Sequence, residues 1–191
     1  MNPIAEVITW LQTMLAQVPE LVQPLIIALA GAIPFVEGEL ASTLGVWAGL
    51  NPFVAFFAAA IGNFLCVLGV VVVSSRAREA VVARRARNAS ATVDASGAGG
   101  VAVLEEVELD EFNAKPESKG RKRFKKFLVR FGVPGASILG PLALPTQFTS
   151  AMLVASGVNK GWVLLWQAVA IVLWTGLTTA IATGVLALVL H

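Results

Sequence analysis

Two acids separated by one residue, Glu37 and Glu39, stand in "IPFVEGELAS" (residues 33–42), and no Lys or Arg lies between Met1 and Arg76 to pair with them. Neighbouring carboxylates titrate as a unit, so such a pair can exchange a proton for a cation or offer negative charge to a cationic ligand. An ionised glutamate in a bilayer costs several kcal/mol even on lenient insertion scales. At least one of the two is therefore expected to carry a proton near neutral pH. A second polar stretch, "LPTQFTS" (residues 144–150), sets Thr146, Gln147, Thr149 and Ser150 in equally apolar surroundings. Thr146, Gln147 and Ser150 are expected to face the glutamates across a cavity. Asn63, directly after Gly62, reads as close helix packing with one amide bridge. Trp47, Trp162 and Trp166 read as interface anchors.

These groups must be held by an all-α integral membrane protein. The 191 residues are 57% hydrophobic and 14% charged, with a mean hydropathy of +0.78, well above the roughly 45–50% apolar share of soluble domains. Residues 40–75, 131–159 and 161–190 carry no charge, and a helical span needs about 20 such residues. Of the 14 Lys and Arg residues, 13 lie between Arg76 and Arg130. The positive-inside rule makes that loop cytoplasmic and the protein a multi-pass component of the cytoplasmic (inner) membrane. Within it, residues 88–120 read as a linker too polar to build a core. "RKRFKKFLVRFG" spaces Phe124, Phe127, Leu128 and Phe131 at helical intervals, so residues 119–130 are expected to form a basic amphipathic helix on an anionic leaflet. Residues 1–20 predict an interfacial helix with Ile4, Val7, Ile8, Leu11, Leu15 and Val18 on one stripe. The start lacks a basic n-region, so the first residues are expected to remain in the mature chain.

The spans do not divide evenly. Leu40 to Leu50 would rise only about 16 Å as a helix, against a hydrocarbon core of about 30 Å. The chain is therefore expected to turn at Glu37-Gly38-Glu39 and come back out. Gly38, with Pro34, would shape that hairpin, and Pro141 and Pro145 the second one. "AGLNPFVAFFAAAIG" (48–62) overlays "SGVNKGWVLLWQAVA" (156–170) without a gap, bringing Gly49 onto Gly157 and Asn51 onto Asn159. The same register brings Glu39 onto Gln147 and Ser42 onto Ser150. The predicted architecture is an inverted repeat, a re-entrant helical hairpin followed by a transmembrane helix in each half. The first repeat is 21–75 (hairpin 21–50, span 52–75). The cytoplasmic linker is 76–130, and the second repeat is 131–191 (hairpin 133–158, span 160–189). Both termini would lie outside. Four ordinary spans, with Lys160 outside, are the rival arrangement.

"IPFVEGELASTLGVWAGLNPFVAFFAAAIGNFL" (residues 33–65), with Pro34 before Glu37 and the pair Gly62-Asn63 in the next helix, resembles the first block of the small multidrug export family. "GPLALPTQFTSAMLVASGVNKGWVLLWQAVA" is similar to that family's second block through Pro141 and Pro145. The family is related to DedA-like membrane proteins, which use paired re-entrant hairpins and include lipid-carrier translocases. The resemblance covers about half the chain. Glu39 departs from the pattern, since many relatives carry arginine there, and the acid argues against carrying over an anionic substrate.

The function expected is proton-coupled efflux of small, cationic compounds through Glu37 and Glu39. Two alternatives stay open: a lipid-phosphate translocase of DedA-like type, and a membrane scaffold whose 76–130 loop docks a partner. The expected partners are the lipid bilayer, a small-molecule or lipid substrate and a second copy of the chain in a homodimer. No nucleic acid, cofactor or metal is expected. The single Cys66 excludes an internal disulfide, and the chain offers no nucleophile, base or ligand cluster for an enzyme.

Overall fold

A computed structural model describes residues 3–93 and 131–190, all of whose regular elements are helices. The polar stretch 94–118 and the amphipathic helix expected at 119–130 lie outside the described residues.

α1 (Pro3–Ala16) ends ahead of Pro19, and Gln23 closes it by donating from Nε2 to the carbonyls of Leu15 (3.2 Å) and Val18 (3.0 Å). The stripe expected along this helix is narrower in the fold. Ile8 is buried, with Leu11 and Leu15 partly so, whereas Val7 is exposed. α1 packs on α3, which selects one edge of the stripe.

α2 (Gln23–Gly31) starts with Pro24 in its first turn, where a missing N–H costs nothing. α3 (Glu37–Trp47) follows after residues 32–36 and packs against it. At nine and eleven residues, the two rise about 14 and 16 Å, half of a bilayer core. The chain breaks one turn earlier than the sequence suggests. Pro34 lies in the break, and Phe35 (φ 71°) and Glu37 (φ 51°) hold left-handed backbone that non-glycine residues adopt at a cost of order 1–3 kcal/mol. Glu37-Gly38-Glu39 is thus the first turn of α3 and not the tip itself. Gly38 has no left-handed φ; a Cβ there would collide with Thr175 Oγ1.

α4 (Pro52–Val93) is 42 residues long, roughly 63 Å. It runs past residue 75, where the span was expected to give way to linker. "RAREAVVARRAR" is nine parts in twelve Ala and Arg, residues that lose little in a helix. Helical residues 131–139 form α5, a short 3-10 turn covers Gly140–Leu142, and α6 is Thr146–Ala155. α7 (Lys160–Leu190) completes the chain. The segments Pro52–Arg84 of α4 and Lys160–Val189 of α7 are long and apolar enough to cross a membrane.

α4 and α7 run antiparallel. Lys160 Nζ meets Glu79 Oε1 at 2.9 Å at one end, and Ala182 packs with Ala55 and Ala59 near the other. The corners leading into both helices are built alike. Gly49 (φ 99°) and Gly157 (φ 85°) reverse the chain after α3 and α6. The N–H of Leu50 bonds Gly45 O at 3.0 Å, and that of Val158 bonds Leu153 O at 3.2 Å, closing the same glycine-terminated cap. Asn51 and Asn159 then each accept a backbone N–H two residues on, from Phe53 and Gly161, both at 2.9 Å. These are the residues that the overlay of 48–62 on 156–170 puts in register.

Two apolar clusters fill the bundle. One joins Val67 and Val71 to Ala136, Leu153, Val163 and Ile171, and the other joins Ile27, Ala41 and Val46 to Ala55, Ala59 and Ala182. α2 lies so close on α4 that a Cβ at Gly62 would run into Ala28 O and one at Gly31 into Ala59 O, the small-residue packing that lets helix backbones touch in membranes.

Candidate functional site

Buried polar side chains gather where α3 and α6 begin. No side chain of α6's own N-cap, Pro145, satisfies its first N–H groups. Glu37 does so from the other half of the chain: its Oε1 accepts the Thr146 backbone N–H at 2.6 Å and the Thr146 hydroxyl at 2.6 Å. That hydroxyl has one proton, so Asn63 Oδ1, at 3.1 Å, and Gln147 Oε1, at 3.5 Å, are secondary choices. Asn63 Oδ1 instead accepts from Gln147 Nε2 at 3.3 Å. Glu37, Asn63, Thr146 and Gln147 are all buried. The acid's lack of a basic partner is thus offset by backbone. Glu37 begins α3 and caps α6, so the partial positive ends of two helices converge on one carboxylate.

Asn63 is eleven residues into α4 and Thr175 fifteen into α7, roughly 17 and 22 Å from the helix starts. The cluster therefore sits about a quarter of the way along α4 and beside the middle of α7.

Glu39 takes no part in this network, and its Oε1 is buried without a hydrogen-bond partner. Both glutamates line a cavity of about 230 Å³, whose other walls are Phe35, Val36, Leu40, Pro141, Leu142 and Trp174. Among the residues expected to shape the hairpins, Pro141 lines this cavity, Pro145 sets the extended entry into α6 (ψ 145°), and Pro34 is exposed in the break. Ser150 is buried but donates to Thr146 O at 2.6 Å, inside its own helix. It has no bond to either acid.

Reading the sequence assigned no role to Trp174 or Thr175. Trp174 Nε1 donates to Ile138 O at 2.7 Å, tying the end of α5 to α7. Thr175 Oγ1 is buried and unpartnered against Gly38. A polar residue midway along a charge-free span was the available signal, because such a group is costly in hydrocarbon unless it is used. Comparison with protein-family models, with curated proteins and with solved structures finds no match for this chain.

Proposed function

We propose that the chain is a multi-pass protein of the cytoplasmic membrane that exports small organic cations in exchange for protons, with Glu37 and Glu39 as its charge-binding groups. The observation that carries this reading is a carboxylate held between the N-termini of two short helices, about 17 Å into α4 and beside the middle of α7, next to a cavity lined by a second acid, one of whose oxygens has no hydrogen-bond partner. Transporters bind charged substrates at the midplane with discontinuous helices of this sort.

The two acids divide the work. Ionised Glu37 accepts a hydrogen bond from the Thr146 hydroxyl and latches α3 to α6. Protonated Glu37 donates to Thr146 Oγ1 instead, and the Thr146 hydroxyl turns to Asn63 Oδ1. The charge-assisted bond between the halves becomes a neutral one, of roughly half the strength. Among the described residues of the elements packed around this pair, α2 and α6 carry no charge, the first in α4 is Arg76, the only one in α7 is Lys160, and α1, which packs on α3, carries Glu6 in its first turn. Glu39, free of structural duty, binds the cation.

The pairing of Lys160 with Glu79 supports two re-entrant hairpins over four spans, because four spans would put those residues on opposite sides of the bilayer. The repeated corners at Gly49-Asn51 and Gly157-Asn159 support the inverted repeat. The resemblance to the small multidrug export family agrees with this reading. A lipid-phosphate cargo is disfavoured, since the lining of the cavity contains two acids and no base. We further propose a homodimer, which crosslinking or mass measurement in detergent would detect.

The test is efflux of a panel of organic cations from vesicles with an imposed pH gradient. Glu37→Gln and Glu39→Gln should each abolish the gradient-driven component. Undiminished efflux by both removes the mechanism.

A further inference from the structure

The mouth of the cavity is apolar. Phe35 and Leu142, its most exposed lining residues at 76% and 68%, and Leu40 at 45%, surround the opening, while the two glutamates lie deeper. Trp174 on the wall adjoins Thr175, near the middle of α7. If the long helices cross a bilayer, an opening at that depth faces acyl chains and not water. The volume of this open cavity, about 230 Å³, is below the roughly 300–1,000 Å³ that holds a whole drug-sized ligand. It suits a head group.

We infer that the cavity is filled sideways from the lipid phase by the ammonium head of a single-chain amphiphile, which binds Glu39 while its alkyl chain stays in the bilayer between Phe35, Leu40 and Leu142. This rests on the cation-export reading and narrows its substrate class. The charge complement is the unpartnered Glu39 Oε1. Glu37 is already committed to α6 through Thr146. Trp174, also on the cavity wall, is a residue type whose ring attracts quaternary ammonium groups. Acidic lining with aromatic and aliphatic walls discriminates against phosphate heads by repulsion, and against strongly hydrated small cations by the cost of stripping their water.

The experiment measures binding of tetramethylammonium, hexyltrimethylammonium and tetradecyltrimethylammonium to the full-length protein in phosphatidylcholine nanodiscs, with affinities referred to the concentration in the membrane phase. The hexyl and tetradecyl compounds should bind within about threefold of each other, because the added carbons remain in lipid. Glu39→Gln should weaken all three by about tenfold or more. Leu142→Trp, a change at an exposed site that leaves the core untouched, should slow exchange of the tetradecyl compound by a similar factor. Binding of tetramethylammonium that is lost in Glu39→Gln, with the long chains rejected, would leave the cation site standing and overturn entry from lipid. Unaltered exchange in Leu142→Trp would also overturn it. Binding of none of the three would sink the cation site and the side entry together.

Discussion

Glu37 and Glu39 are alike in type and one residue apart, yet their surroundings give them different work. Glu37 Oε1 satisfies two donors of Thr146. Removing it in Glu37→Ala leaves the buried Thr146 N–H without an acceptor while the hydroxyl turns to Asn63 Oδ1, a loss of about 1–3 kcal/mol. A lower Tm in detergent should report this. Glu37→Gln keeps a neutral acceptor and should lose less. Glu39→Gln removes no hydrogen bond to another residue's side chain and should leave Tm close to that of the parent while abolishing cation binding. An equal loss of stability in the two glutamine variants would contradict this division. Gln167 gives the opposite case. It is wholly buried, and neither its Oε1 nor its Nε2 has a partner. Met fills the same volume without polar atoms, so Gln167→Met should raise Tm; a fall would show that the amide is used.

The break before α3 and the entry into α6 follow from local chemistry. The packing that makes them a site depends on small residues. Gly62 is where α2 rests on α4, and Gly69, further along the same helix, has nothing within 4 Å of where its Cβ would be. Gly62→Ala should therefore destabilise the fold by about 1–3 kcal/mol through overpacking. Gly69→Ala should stabilise it by about 0.5–1 kcal/mol, since a glycine inside a helix costs that much relative to alanine. Thermal unfolding of the two variants side by side checks both signs. The helix capacity of residues 76–93 is legible in their composition, but the change from apolar to charged hides the length of α4. Hydropathy ends a span, not a helix. The position of the first break was likewise displaced by one turn. Gly38 points to a turn that only glycine allows, whereas the fold uses its missing Cβ to admit Thr175.

The antiparallel course of α4 and α7 brings Lys160 to Glu79, two exposed side chains whose bond is worth about 0–1 kcal/mol and does not hold the bundle together. Its value is as a marker of topology. With Cys66→Ser as background, cysteines at positions 79 and 160 should be joined by a short bifunctional maleimide. Four plain spans would separate them by the hydrocarbon thickness, about 30 Å, and no crosslink would form.

Composition and the distribution of charge were enough to expect a helical protein with long apolar helices, because burying or exposing apolar surface is a property of each residue that sums along the chain. The corners at Gly49-Asn51 and Gly157-Asn159 were visible for a related reason: left-handed backbone and helix capping are demands on one or two residues. Which acid would be spent on structure was not visible. Thr146 is more than a hundred positions from Glu37, and no local pattern records that the N-terminus of one helix will be closed by a side chain from another. The same holds for Trp174 and Leu142, which become wall and mouth of one cavity only when α7 and the turn after α5 meet the start of α3. Long-range packing makes those assignments, through shape and the need of buried polar groups for partners.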